Sequence, residues 1–213
     1  MAKRSKPRHG SLQFYPRKRA SRFLPSVNWD VVKGEGILGF IGYKVGMATA
    51  LVKDSTPKSM TPGKKLAVPV TILEIPPMKI YSVRFYKNGR VMTDVIVSND
   101  KDLKRTVKVP KTLKGHEALD HVKDFDDLRL IVYSLPKSAG LKKKPDVAEV
   151  ALGGKDKMHL VKSLVGKEFA ASDVFKGNLV DIRGLTKGKG LEGPVPRFGI
   201  SLKQHKSEKG RRR

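Results

Sequence analysis

Two glycine patterns in this chain have the spacing of a dinucleotide-binding loop: "GEGILG" at 34–39 and "GKGLEG" at 188–193. Such a loop needs a strand to deliver it and a helix N-terminus to receive the pyrophosphate. Pro194 and Pro196 follow Gly193 and predict no helix there. A glycine-spaced apolar run follows Gly39 instead of a helix. In a chain with 20 glycines both matches read as chance, and no G-x-x-x-x-G-K-[ST] loop occurs.

Metal and acid–base chemistry find as little support. Of the five histidines, only His116 and His121 are near each other, and a spacing of five does not share a helical face. The carboxylates of "DFDD" (124–127) could gather on a hard cation. They lack the glycine and distal glutamate of a calcium loop, so a polar turn is the better reading. There is no cysteine, which excludes disulfides and thiolate metal sites. No catalytic residue, metal ligand or cofactor is expected.

Phosphate contact is the chemistry the residue types do favour. In "GLTKGKGLEGPVPRFG" (184–199), Gly188, Gly190 and Gly193 allow close backbone approach beside Lys187 and Lys189. Arg197 can fork onto phosphate and Phe198 can stack on a base. The two prolines predict an extended exit. A plain linker would explain the glycines but not the charge.

That charge is large and segregated. The formal net charge is +25 over 213 residues, with a pI near 10.3. Residues 1–22 hold eight basic residues and no acid, and residues 183–213 hold ten against Glu192 and Glu208. A solvated surface usually mixes signs. Unopposed cations point to a polyanionic partner, and Phe14 and Tyr15 between the basic clusters suit nucleic acid. A membrane partner is not expected, because no basic amphipathic helix or long apolar run is found. Nor is there a secretory h-region, so a cytosolic location is the default.

The elements that must position these residues read mostly as strands. They are "ILGFIGYKVGM" (37–47), "VPVTILEI" (68–75), "LRLIVYS" (128–134), "NLVDIRGL" (178–185) and a hairpin over 79–97. The hairpin is the clearest, since Asn88-Gly89 accepts the positive φ of a two-residue turn. Helices are expected over 155–165, with Met158, Val161, Leu164 and Val165 inward, and over 112–127, with Leu113, Leu119 and Val122 inward. Ser172 is expected to cap a short turn through Phe175. The fold class is therefore mainly β: a small barrel carrying an inserted α/β portion and two basic extensions.

Four stretches resemble the large-subunit ribosomal protein three family in its archaeal and eukaryotic form. They are "KPRHGSLQFYPRKRA" (6–20), "GFIGYKVGM" (39–47), "KKKPDV" (142–147) and "TKGKGLEGPVPRFG" (186–199), and the spacing of "VPVTILEIPPMKI" agrees too. The order matches throughout the chain. Pro196 and Phe198 depart from the family's lysine and tryptophan, and "GMATA" departs after the methionine. The resemblance implies a translation-protein-type β-barrel and extensions threading into large-subunit ribosomal RNA near the peptidyl-transferase region. It also implies a part in assembly and no enzymatic activity. Family members continue beyond the equivalent of Arg213. The expectation is therefore a missing C-terminal part: either the chain is a fragment or split-gene half, or a second chain carries the rest.

The expected divisions are a basic extension at 1–34, the first barrel portion at 35–110, the insertion at 111–178 and a barrel strand leading into a basic loop at 179–213. Composition and resemblance together nominate Arg8, Arg17, Lys18, Arg19, Lys44, Lys142, Lys143, Lys144, Lys187, Gly188, Lys189, Gly190, Arg197, Phe198, Lys206, Arg211, Arg212 and Arg213 as RNA contacts. The expected partners are large-subunit ribosomal RNA, neighbouring ribosomal proteins and the second chain, on the ribosome in the cytoplasm. The rivals are an RNA-binding assembly factor outside the ribosome and a nucleotide-using enzyme.

Overall fold

The hairpin around Asn88-Gly89 forms as its sequence predicts. In the computed structural model, which describes residues 18–113, 117–154, 156–175 and 179–206, Asn88 and Gly89 have φ of 50° and 71°. They join strand β4 (Met78–Lys87) to β5 (Arg90–Ile96). These belong to a five-stranded antiparallel sheet completed by β1 (Gly36–Ile37), β6 (Asp127–Ser134) and β7 (Val147–Gly153), in the order β1-β7-β6-β4-β5. A separate two-stranded ribbon pairs β2 (Tyr43–Lys53) with β3 (Lys65–Glu74). The helices are short: α1 (Glu117–Asp120), α2 (Lys157–Leu164), α3 (Ala171–Val174) and α4 (Pro194–Phe198).

Register explains why the sheet has one apolar face. Val83 faces Leu130, Phe85 faces Leu128, Ile80 faces Val132, and Leu130 faces Val150. All seven are buried. A bulge between Ile80 and Ser82 turns Tyr81 to the other side, where it packs with Leu103, Ile131 and Tyr133 in a smaller cluster. The rest of that second face is polar. Arg84 forks onto Asp94 at 2.7 Å through both Nε and Nη2 and reaches Glu149 at 3.0 Å. Arg129 bonds Glu149 at 3.2 Å and lies 4.4 Å from the Tyr86 ring centroid.

The chain divides into two units: residues 28–180, and a second one formed by 181–206 with 18–27 among the described residues. The expected barrel is not closed among the described residues. Both sheets are open, with β1 and β5 at the edges of the larger one. The apolar run at 37–47 divides between β1 and β2, which lie in different sheets. No strand forms over 179–185, where Leu179 is 95% exposed, because no neighbouring strand offers it a ladder. The expected helix at 112–127 shrinks to α1 among the described residues, with Leu119 buried. The turn near Ser172 exists, but Ala170 occupies its cap position, and the Asp173 carboxylate accepts the Ala170 amide at 3.2 Å. Strand β7 was not expected at all.

The β2–β3 ribbon has an unusual pattern. Directly paired residues share a face, and one face holds Gly46/Ile72, Ala48/Val70, Ala50/Val68 and Val52/Leu66, apolar throughout. Val52, Val68 and Ile72 on it are exposed. The far end of the ribbon is closed by Asp54, whose carboxylate accepts from the Ser59 hydroxyl at 2.5 Å, the Thr56 amide at 3.0 Å and the Thr61 hydroxyl at 2.9 Å. These bonds favour the ionised form and hold the Asp54 carboxyl down to about 2.

Two outcomes follow from this geometry. A Cβ on Gly153 would lie 1.9 Å from the Gly34 carbonyl oxygen, which is backbone and cannot swing away. Gly153→Ala should therefore destabilise by about 2 kcal/mol in urea denaturation, through loss of the β1–β7 pairing. The Asp54 carboxyl is depressed below its unfolded value of about 3.9, so its contribution is complete above that pH and lost as pH falls through about 2. A carboxyl NMR titration should show that midpoint, and a normal midpoint would rule out the bonded loop.

Candidate nucleic-acid interface

Cations on the sheet are mostly occupied by carboxylates. Arg84 and Arg129 serve the polar face, Lys157 meets Asp127 at 2.5 Å, and Lys79 meets Glu168 at 3.1 Å. The "DFDD" carboxylates are occupied in turn. Asp124 pairs with Lys87, Asp126 accepts the Asn88 amide at 2.6 Å, and Asp127 also takes Arg129 at 3.2 Å. Among the described residues no three His, Asp or Glu side chains could share a metal ion.

The nominated contacts behave differently. Lys44 is the second residue of β2 and is exposed, and Lys143 and Lys144 are exposed on the loop between β6 and β7. None of these three side chains has an ion pair or hydrogen bond among the described residues. Lys142 of the same run instead pairs with Asp146 and lies 5.3 Å from the Tyr43 ring centroid. Tyr43 is the neighbour of Lys44, so the start of β2 and the lysine loop come together at one end of the ribbon.

The second unit carries the other group. Lys187, Gly188, Lys189 and Gly190 lie in exposed, irregular backbone. Gly190 has φ of 60°, the left-handed region where a side chain is strained. A Cβ at Gly188, Gly190 or Gly193 would meet nothing among the described residues within 4 Å. The open space there leaves the backbone approachable from outside. Lys18 and Lys206 are exposed, and Arg19 donates to the Glu192 carbonyl at 3.1 Å, which ties 18–27 to the glycine stretch. Arg8, Arg17, Arg211, Arg212 and Arg213 lie outside the described residues.

One expectation about this stretch is corrected. Pro194 and Pro196 do not exclude a helix: residues Pro194–Phe198 make one helical turn, capped by Gly193 and by Gly199 at φ 67°. The first-turn amides of a helix have no internal acceptor, so proline there gives up nothing and pre-sets φ. The turn places the Arg197 guanidinium 4.8 Å from the Phe198 ring centroid, with Phe198 half exposed. Nothing about it revives the nucleotide-loop reading. No strand delivers Gly188 among the described residues, and Gly36–Ile37 in the other match is itself a strand.

The comparison with known families decides between the remaining readings. A model of the family described as ribosomal protein L3 matches residues 1–213. The chain belongs to that family. Relatives named large ribosomal subunit protein uL3 include that of Methanosphaera stadtmanae, 40% identical over 223 residues, covering 97% of this chain and 66% of that protein. The Methanocaldococcus jannaschii protein is 40% identical over 213 residues, covering 93% of this chain and 64% of its own. The Methanothrix harundinacea protein is 39% identical and covers all of this chain and 68% of its own. The chain thus spans about two thirds of the length of these L3 relatives.

Glycine at 190 should be a conformational requirement. Gly190→Val forces a β-branched residue into positive φ, whereas Lys189→Ala removes one cation. In a competition of tagged variants for incorporation into large ribosomal subunits, Gly190→Val should be the more damaging. Equal incorporation of Gly190→Val and the parent would refute the close-approach reading.

Proposed function

We propose that this chain is a structural, non-catalytic constituent of the large ribosomal subunit, held on the ribosome in the cytoplasm by contacts to large-subunit ribosomal RNA. The observation that carries this is the separation of cations. Most of those on the five-stranded sheet are paired with carboxylates, while those at Lys44, Lys143, Lys144, Lys187 and Lys189 face outward without a carboxylate among the described residues. Membership of the L3 family and the names of its relatives support that partner. RNA of A form is read by backbone, shape and unpaired bases, which suits an exposed basic thread with an available ring at Phe198. Its place is near the peptidyl-transferase region, where it supports assembly, and no helix among the described residues is long and apolar enough to cross a membrane.

The proposed partners also include neighbouring ribosomal proteins and the third of the relatives' length that this chain does not match, whether it stands on the same polypeptide or on a second one. The apolar face of the β2–β3 ribbon supports that reading. A two-stranded ribbon is marginal alone in water and needs a further layer. Chain packed on this face would supply that layer, and closure toward the translation-protein-type barrel would need further strands paired along the open sheet edges.

Purification tests the proposal. The chain should stay with large subunits in stoichiometric amount through a high-salt wash. Loss in the wash, with RNA affinity retained by the isolated chain, would identify an assembly factor instead. Saturable binding of a free nucleotide would overturn both.

A further inference from the structure

The run Lys142-Lys143-Lys144 supplies three adjacent cations, but the fold treats one of them differently. The loop that carries the run is fastened on both sides. The Leu141 amide bonds the Pro136 carbonyl at 3.0 Å, and the buried Pro145 offers its carbonyl to the Thr106 hydroxyl at 3.0 Å. Beyond Pro145, the Asp146 amide donates to the Ser134 hydroxyl at 3.1 Å, and the Ser134 amide donates to the Asp146 carbonyl at 3.0 Å. Between these ties the three lysines have little freedom of placement.

The Asp146 side chain completes the arrangement. Tyr43 donates its hydroxyl to Asp146 Oδ2 at 2.5 Å and lies 2.7 Å from the Ser134 hydroxyl. Ser134 accepts from the Asp146 amide, which leaves its own proton for the Tyr43 oxygen. Burial, and then the bond to Asp146, push the Tyr43 hydroxyl above its usual range, so it stays a donor. The Lys142 ammonium closes the group, paired with the same Asp146 oxygen and set over the Tyr43 ring. Lys142 and Asp146 together carry no net charge. A lysine held by its own carboxylate neutralises no phosphate, so it displaces no counterion from a nucleic acid.

We propose that Lys143 and Lys144 are the phosphate contacts of this run, and that Lys142 is a positioning residue clasped by Asp146 and Tyr43. This rests on the RNA-binding reading above. The clasp aims two cations outward by sequestering the third, so the run acts as a divalent contact.

Two measurements on the full chain test it. In the free protein, an amine-reactive acylating reagent read by mass spectrometry should modify Lys142 several-fold more slowly than Lys143 and Lys144. Asp146→Asn keeps an acceptor for Tyr43 but removes the charge, and should raise the Lys142 rate to that of its neighbours. Binding to transcribed large-subunit ribosomal RNA of Methanosphaera stadtmanae is then followed across a salt series. Lys143→Met and Lys144→Met should each flatten the slope of log K against log salt by about 0.7, while Lys142→Met leaves it unchanged. Asp146→Asn should steepen the slope by about 0.7, as a third cation becomes available. Equal acylation of all three lysines in the parent, or a Lys142→Met slope as flat as that of Lys143→Met, overturns the assignment alone. A parent chain with no salt-dependent binding overturns the RNA-binding reading itself, and the phosphate role of Lys143 and Lys144 with it.

Discussion

The 28–180 unit depends on β4 lying antiparallel to β6 in one register. Each is hydrogen-bonded on both sides, β4 by β5 and β6, and β6 by β4 and β7. Side chains alternate along a strand, so a slip of one residue would carry Leu128, Leu130 and Val132 out and bring Arg129 into the apolar layer. An arginine there would lose Glu149 and Asp127 and face an uncompensated desolvation cost of several kcal/mol. The apolar face and the charged face are two sides of the same restraint. Because β6 is fixed, so are the residue that ends it, Ser134, and the loop that leaves it.

Charge is distributed on a similar logic. Inside the sheet unit, arginines are used as forks between strands, where bidentate geometry suits their planar group. Arg84 spans β5 to β7 in this way through Asp94 and Glu149. Lysines are more often at strand ends and loops, where a compact ammonium can reach outward. The net positive charge of the chain is thus not spread over its surface. It is what remains after the sheet has paired most of its own cations, and much of it lies in loops and near strand ends.

Local signals were the legible ones. The Asn88-Gly89 turn, the alternation of 79–97, the β6 run and the helical face around Val161 all depend on neighbours in sequence, and all formed. Strand β7 escaped notice because Ala148, Glu149 and Ala151 carry little strand propensity, and its place comes from pairing with β6 and β1. The strand expected at 178–185 did not form over its described residues 179–185 for the opposite reason: they suit a strand, but no strand among the described residues pairs with them. Pro194 and Pro196 misled because proline was read as a helix breaker without regard to position in the first turn. For the site, residue type found the lysines, but which of them the fold neutralises is set by Asp146 and Tyr43. Tyr43 lies 103 residues from Asp146 along the chain, beyond any local pattern.

The bare face of the β2–β3 ribbon bears on the colloidal behaviour of the chain away from its partners. Ala, Val, Leu and Ile on a two-stranded surface make a ready template for like-to-like stacking. At low ionic strength a net charge of +25 holds copies apart over distances of tens of ångströms. Near 1 M salt the screening length shrinks to about 3 Å, and the repulsion vanishes at the separations where such faces meet. High salt, the condition that would strip a bound polyanion, is therefore the one in which the chain is least protected from itself, and light scattering along a salt gradient would display the crossover.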